Sequence, residues 1–284
     1  MNWTVIKMNK AGIIPNLTRE NAKDITIKVI EQLQKLNIEY ILPKDICIEM
    51  NMDESTDDIY NKADFIIAIG GDGSFIHTAK NAAEVNKPVL CINAGNIAFL
   101  AGLEANELSK LSNLFMGEYN IEKHMMLDCY IEKDGNSSLI GRCLNEIVVA
   151  RSNEISLVDL DAYCDNRKIN SYRCDGLIIS TSTGSTAYTR SAGGPVIDPS
   201  LECIILTPIC GVSSSDKSLV FRNDSIISIL KSKNNKNICL SLDGEKSIEF
   251  ADNTKLIVKK STLHADLIKI KSDEFFDVLN SKLI

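Results

Sequence analysis

Up to about Gly117 the apolar positions alternate between two rhythms. Residues 3–8 (WTVIKM) form a short apolar run, read as a strand. Residues 18–36 place Ile25, Val29, Leu33 and Leu36 at helical spacing behind Thr18, a candidate N-cap. Residues 64–69 (DFIIAI) are almost continuously apolar and end in Gly70-Gly71, as a strand covered on both faces does. Phe75 to Val85 returns to helical spacing, 88–95 (PVLCINAG) reads as a second buried strand, and 105–116 as a further helix. Strands alternating with helices predict a Rossmann-like α/β domain with a mostly parallel sheet over residues 1–117.

Beyond Gly117 the helical rhythm fades. Residues 125–132, 140–151, 154–164, 176–181, 202–208, 225–230, 237–243 and 255–259 are strand-like. Asn166-Arg167-Lys168 reads as a turn, 184–192 as the one helix, and 234–237 (NNKN) as a loop. Residues 118–271 are therefore predicted to form a mostly-β domain, a sandwich of antiparallel sheets. The amphipathic segment 272–284 is predicted to be a helix that packs back on the first domain and completes it.

Composition narrows the picture. A chain of 284 residues with 44% hydrophobic positions can bury a sizeable core in one large or two modest domains. Its net charge of −7 argues against nonspecific binding to nucleic acid or an anionic membrane. Lys7 and Lys10 interrupt the opening run, no signal-peptide pattern is found, and no stretch of about 18 apolar residues occurs. Nine cysteines, scattered from Cys47 to Cys239 without a C-x-x-C pair, read as reduced thiols and a cytoplasmic setting. His77, His124 and His264 are isolated, so no protein-held metal site is expected.

The sharpest local signal is IAIGGDGSF at 67–75. An apolar strand delivers the chain to Gly70, Gly71, Asp72 and Gly73, and a helix starts at once. Glycines let a ligand approach the backbone, and the amides at a helix start favour phosphate. That makes Gly70, Gly71 and Gly73 phosphate-binding candidates. An aspartate at such a turn would repel phosphate as a mere contact; it makes sense as a general base for a hydroxyl or a partner for Mg²⁺. The plainer alternative is a tight strand-to-helix turn with Asp72 as N-cap. Neither G-x-x-x-x-G-K-[ST] nor G-x-G-x-x-G is present at this turn, so Walker-type nucleotide binding and Rossmann hydride transfer are disfavoured.

A second segment, RCDGLIISTSTGSTAYTRSAGGPVIDP at 173–199, is dense in hydroxyls that could satisfy ribose, phosphate or adenine edges, with Tyr188 able to cover a ring. A Ser/Thr-rich loop capping a short helix is the simpler explanation. G-x-S-x-G is absent, which disfavours a serine hydrolase. Asn145-Glu146 interrupts the apolar strand LNEIVVAR; it is either a ligand contact or a strand-end pair facing water. Asp243-Gly244-Glu245 reads as an ordinary hairpin turn.

Taken together, these segments resemble the NAD kinase family over nearly the whole chain. Gly70-Gly71-Asp72-Gly73 resembles its first motif, which diacylglycerol kinases and phosphofructokinases share more loosely. Asn145-Glu146 resembles its Asn-Glu pair, and Asp175-Gly176 through Ser191-Ala192-Gly193-Gly194-Pro195 its long second motif. The resemblance implies that Asp72 activates the 2′-hydroxyl of the adenosine ribose of NAD. Asn145, Thr186 and Ser191 would hold the adenosine. Glu146, Asp175 and Ala187 would meet the ribose and nicotinamide ends, with Tyr188 packing nearby. Arg173 would be a charge partner near the site or across a subunit contact, and Gly73, Phe99 and Thr183 complete the expected NAD-binding set. It implies NAD and ATP or polyphosphate as ligands, Mg²⁺ or another divalent cation carried with the donor, and a homodimer or homotetramer. The chain departs from the family at Ile97-Ala98-Phe99-Leu100, where Leu-Gly-Phe-Leu is usual. Ser182 replaces a common proline, and Gly211-Val212 replaces Pro-His. These changes bear on affinity and donor choice. Two alternatives stand beside this reading: a lipid or sugar kinase using the same turn, against which the Thr-Gly-Ser-Thr-Ala-Tyr segment argues and which a substrate screen separates, and a non-catalytic dinucleotide sensor, against which Asp72 argues and which would bind NAD without turnover.

Overall fold

The computed structural model describes residues 8–53, 55–95, 98–152, 156–232, 238–245, 247–270 and 279–280. The strand expected over 3–8 lies, except for Met8, outside the described residues, as does the helix expected over 272–284 apart from 279 and 280. The chain divides into one unit of Met1–Lys123 with Ala265–Ile284 and a second of His124–His264.

The first unit alternates strand and helix: β1 (Lys10–Pro15), α1 (Ala22–Lys35), β2 (Glu39–Pro43), α2 (Lys44–Met50), β3 (Ser55–Thr56), α3 (Ile59–Lys62), β4 (Phe65–Gly70), α4 (Asp72–Glu84), β5 (Val89–Asn93), β6 (Leu103–Glu104) and α5 (Leu111–Phe115). The strands run parallel in the order β5-β4-β1-β2-β3, and β6 pairs with the end of β5 through Ile92 and Leu103. Every residue of β4 and β5 is buried, which is why both read as unbroken apolar runs. Helix α1 buries Ile25, Val29 and Leu33, the stripe its spacing predicts.

Several details differ from the sequence reading. Helix α1 starts at Ala22, after Asn21. Thr18 is not its cap, because the Thr18 hydroxyl and amide both turn back to Asn16 Oδ1, at 2.7 and 3.2 Å. Strand β1 carried a weak signal because its centre is Gly12, where a Cβ would meet Ile59 and Ile66 side chains at 2.8 Å. The helix expected over 105–116 begins as a 3₁₀ turn, Ala105–Lys110, and becomes α-helical only at Leu111.

The second unit holds most of β7 (Asn120–Lys133) and of β18 (Thr254–Lys269), whose residues 120–123 and 265–269 belong to the first unit, together with β8 (Asn136–Cys143), β9 (Glu146–Arg151), β10 (Val158–Cys164), β11 (Arg167–Cys174), β12 (Gly176–Thr181), α6 (Tyr188–Ser191), β13 (Cys203–Ile209), β14 (Leu219–Arg222), β15 (Ile227–Lys231), β16 (Ile238–Leu242) and β17 (Ile248–Glu249). One antiparallel sheet runs β14-β13-β12-β9-β16-β17; β11, β10, β15 and β18 follow one another antiparallel in the other, with the β7–β8 hairpin joined through β18. Their facing side chains, including Ile147, Val149, Leu177 and Leu206 from one sheet and Leu160, Ile229, Leu256 and Val258 from the other, form one buried core. The sandwich architecture expected from the strand pattern is present.

The strand expected over 140–151 breaks at Leu144-Asn145, and β18 runs ten residues past the expected 255–259, to Lys269. The turn before β11 is Asp165-Asn166, both with positive φ (49° and 63°), so Arg167 and Lys168 already belong to the strand. The residues Leu267 and Ile268 of β18 pair in parallel with Val89 and Leu90 of β5 within the first unit. All nine cysteines are free thiols. Among the described residues no helix is long and apolar enough to cross a membrane.

Candidate active site

In the first unit, strand β4 ends at Gly70 and helix α4 begins at Asp72, with Gly71 as its N-cap in extended conformation. Gly70 is required by close approach: a Cβ there would stand 2.7 Å from the Ser74 hydroxyl. Ser74 in turn accepts a hydrogen bond from Asn16 Nδ2 at 2.8 Å, tying the end of β1 to the turn. Gly73 is exposed, with open space where a side chain would be, so its backbone can be approached. A cleft of about 400 Å³ opens beside it, lined by Asn16, Gly73, Ser74, His77 and their neighbours.

Asp72 is the first residue of α4, yet its carboxylate makes no cap on that helix. Instead Oδ2 accepts the Phe99 amide at 2.9 Å and Oδ1 the Leu100 amide at 3.0 Å. The N-cap alternative is thereby set aside. Two backbone donors fix the carboxylate plane, and each oxygen keeps a further lone pair for a proton or a cation. Ala98 is fully buried, and Phe99 is half-buried. Among the described residues no group of three or more His, Cys, Asp or Glu is assembled that could hold a metal ion.

In the second unit, Asn145 and Glu146 stand where the chain enters β9, both buried. Asn145 Oδ1 and Glu146 Oε2 are buried acceptors without a hydrogen-bond partner. Native interiors rarely leave such atoms unpaired, so each calls for a partner that the described protein groups do not supply. The strand-end pair facing water is excluded by their burial. Burial and the nearby Asp243 charge push the Glu146 carboxyl up to about 7, against a hydrogen bond from the Tyr188 amide that lowers it.

Asp243 is more than the hairpin turn its sequence suggests. Its carboxylate accepts the amides of Leu144, Asn145 and Glu146 at 2.9, 2.8 and 3.1 Å, and its own φ is +51°. No local signal could reveal this, because the partners lie about a hundred positions away, as the separation of 98 for Asn145 shows.

The second motif wraps around the same pair. The Thr181 hydroxyl donates to the Leu144 carbonyl at 2.6 Å and accepts the Gly184 amide at 3.0 Å. A Cβ on Gly184 would fall 2.2 Å from the Asn145 carbonyl oxygen, so only glycine fits. The Thr183 hydroxyl lies 2.9 Å from His124 Nδ1, and the Thr186 hydroxyl donates to the Thr183 carbonyl at 3.3 Å. Thr183–Thr186 form a 3₁₀ turn and Tyr188–Ser191 a single helical turn, in place of the helix expected over 184–192. Ala187 joins the two, Tyr188 is 42% exposed with its ring available, and Ser191 is exposed. Ser182 has φ −58°, the value proline would impose, so the backbone survives the proline's replacement.

Asp175 precedes β12 and is paired with Arg151 Nε at 3.1 Å. Arg173 is exposed on β11, opposite Asp159 in the ladder. Gly211 makes room for Asp216, whose carboxylate would stand 2.9 Å from a Cβ there and which accepts the Ser213 amide and Asn170 Nδ2, both at 3.1 Å. The structure thus brings Asn145, Glu146, Thr183, Thr186 and Tyr188 into one bonded neighbourhood, and Asp72 and Phe99 into another.

A family model described as the ATP-NAD kinase N-terminal domain matches residues 11–119, and one described as the ATP-NAD kinase C-terminal domain matches residues 144–270. NAD kinase of Thermoanaerobacter sp. (strain X514) is 35% identical over 280 residues, covering 97% of this chain and 99% of that one. NAD kinase of Clostridium kluyveri is 35% identical over 279 residues, covering 98% and 96%. An NAD kinase from Archaeoglobus fulgidus in complex with ATP superposes with a TM-score of 0.77 at 25% identity, over 96% of this chain and 98% of that one. Yeast NADH kinase complexed with NADH shares the fold, with a TM-score of 0.89 at 23% identity over 97% and 87%. On the strength of both domain matches and relatives similar along almost their whole length, the chain belongs to the NAD kinase family, phosphotransferases that act on NAD.

Proposed function

We propose that this chain transfers a phosphoryl group from ATP, another triphosphate or polyphosphate to the 2′-hydroxyl of the adenosine ribose of NAD, making NADP. The observation that carries the reading is the pair of buried, partnerless acceptors Asn145 Oδ1 and Glu146 Oε2, held in place by three amides on Asp243. Asn145 Oδ1 suits the amino edge of adenine, and Glu146 Oε2 suits a ribose hydroxyl. Thr186 and Ser191 assist at the adenosine, Asp175 and Ala187 at the nicotinamide end, and Tyr188 covers a ring. Thr183 supports the turn they share, and Arg173 serves as a charge partner.

In this reading Asp72 accepts the proton of the 2′-hydroxyl as the hydroxyl oxygen bonds to the terminal phosphorus and the bond from that phosphorus to the rest of the donor breaks, releasing ADP when the donor is ATP. The amides of Phe99 and Leu100 keep the carboxylate oriented while it does so. The amides at Gly70, Gly71 and Gly73 and the start of α4 receive donor phosphate, in keeping with the ATP held by the Archaeoglobus relative. Mg²⁺ or another divalent cation carried with the donor would neutralise phosphate charge, and Asp72 would be the carboxylate to hold it. A cytoplasmic setting and a homodimer or homotetramer belong to the same proposal.

The test is a dinucleotide lacking only the adenosine 2′-hydroxyl. It should bind and inhibit yet never be phosphorylated, and NMR of the product from NAD should show phosphate on that oxygen alone. Phosphate on the 3′-oxygen, on the nicotinamide ribose, or on a lipid or sugar in preference to NAD would overturn the proposal.

A further inference from the structure

Near the end of β18, Lys269 has a side chain only 17% exposed, and its ammonium is aimed at backbone. Nζ donates to the Leu100 carbonyl at 3.4 Å and the Ala101 carbonyl at 3.2 Å, with Glu122 Oε2 at 3.9 Å. These carbonyls follow directly on the Phe99 and Leu100 amides that hold Asp72. One short loop therefore faces two charged side chains of opposite sign, its N–H groups turned to the carboxylate and its C=O groups to the ammonium.

The loop has little room to settle elsewhere. Gly102 approaches β18 so closely that a Cβ would lie 2.5 Å from the Ile268 carbonyl oxygen and 2.9 Å from a Leu90 methyl. Its amide is bound to the Cys91 carbonyl at 2.8 Å. The backbone contact at Ile268 puts the next residue, Lys269, beside carbonyls 100 and 101. Charge reaches further: the Cys91 thiol, pushed up to about 12 chiefly by burial, is lowered by Lys269 and raised by Asp72, so both charges act on the same buried group.

We infer that Lys269 is a positioning residue for Asp72, acting through the Phe99–Ala101 loop. An ammonium bound to the Leu100 and Ala101 carbonyls anchors the backbone directly after the Phe99 and Leu100 amides, and so fixes where those two donors point. The inference rests on Asp72 as the base. A base displaced by about 1 Å costs on the order of a hundredfold in rate, whereas substrate affinity does not depend on its aim.

Steady-state kinetics with NAD and ATP varied separately tests this. Lys269→Met should lower kcat by about ten- to a hundredfold and leave both KM values within about threefold. Lys269→Arg, which restores a cation to the carbonyls, should recover turnover to within about threefold of the natural enzyme. If the Met variant fails to fold, Lys269→Gln, whose amide can still donate, carries the measurement with an intermediate loss. In an Asp72→Asn background, adding Lys269→Met should cost less than about twofold more, since the carboxylate it aims is gone. Undiminished kcat in both neutral variants, equal loss in the Arg variant, or losses that multiply in the double variant would overturn the inference. Normal turnover of Asp72→Asn alone would instead remove Asp72 from the chemistry, and that failure is distinct.

Discussion

Asp243 Oδ1 accepts the backbone amide of Asn145 at 2.8 Å, across 98 positions of sequence. With the Leu144 and Glu146 amides also bound, one carboxylate fixes the entry to β9 and the backbone that carries Asn145 and Glu146, the pair proposed to meet the nucleotide. Removing it should strand three buried donors. Asp243→Ala should destabilise the fold by about 2–4 kcal/mol in urea unfolding and raise KM for NAD more than KM for the donor. A loss under about 0.5 kcal/mol, or equal effects on both KM values, would show that Asp243 is only a turn residue.

Glu146 gives the fold a pH dependence with a definite sign. Its folded carboxyl titrates at about 7 against an ordinary 4.5, so the folded state holds its proton more tightly than the unfolded chain. That contribution is complete below about 4.5 and is lost as pH rises through about 7, at most roughly 3 kcal/mol. Glu146→Gln should remove this slope: relative to the natural enzyme, the variant should gain stability between pH 5 and pH 8. Parallel stability curves for the two proteins would refute it.

Gly184 is confined by the Asn145 carbonyl oxygen, 2.2 Å from where a Cβ would stand. Gly184→Ala forces backbone apart rather than a flexible side chain. It should cost about 1–3 kcal/mol and weaken NAD binding by tenfold or more, read by calorimetry. Unchanged affinity would separate this turn from the nucleotide site.

Asp72→Asn keeps the size of the side chain and one carbonyl acceptor for the amides of Phe99 and Leu100. It should preserve the fold and NAD affinity while lowering kcat by about 10²–10⁴. Turnover near the natural rate would exclude a proton-accepting role.

Activity should also require Mg²⁺ or Mn²⁺ and disappear with EDTA, because charge on the donor must be neutralised for transfer. Activity that survives chelation would count against the proposed reaction.

What the sequence by itself determined is local or periodic. The unbroken apolar runs of β4 and β5 follow from burial on both faces, and the stripe of α1 from packing on one side. The Gly-Gly-Asp-Gly turn is written in adjacent residues because backbone geometry is local. What only the tertiary structure decided depends on partners far apart in the chain. The 140–151 run breaks at Leu144-Asn145 where Asp243 takes those amides, and Gly12 belongs to a strand because it pairs with Ile41 and Ile66, while Ile59 and Ile66 fill the space a side chain would need. Asp72 serves the amides of Phe99 and Leu100 rather than its own helix, and Lys269 reaches the carbonyls behind them. Hydrogen bonds and steric contacts form between whatever groups folding brings within about 3 Å, and nothing in the periodicity of either segment records which distant group that is.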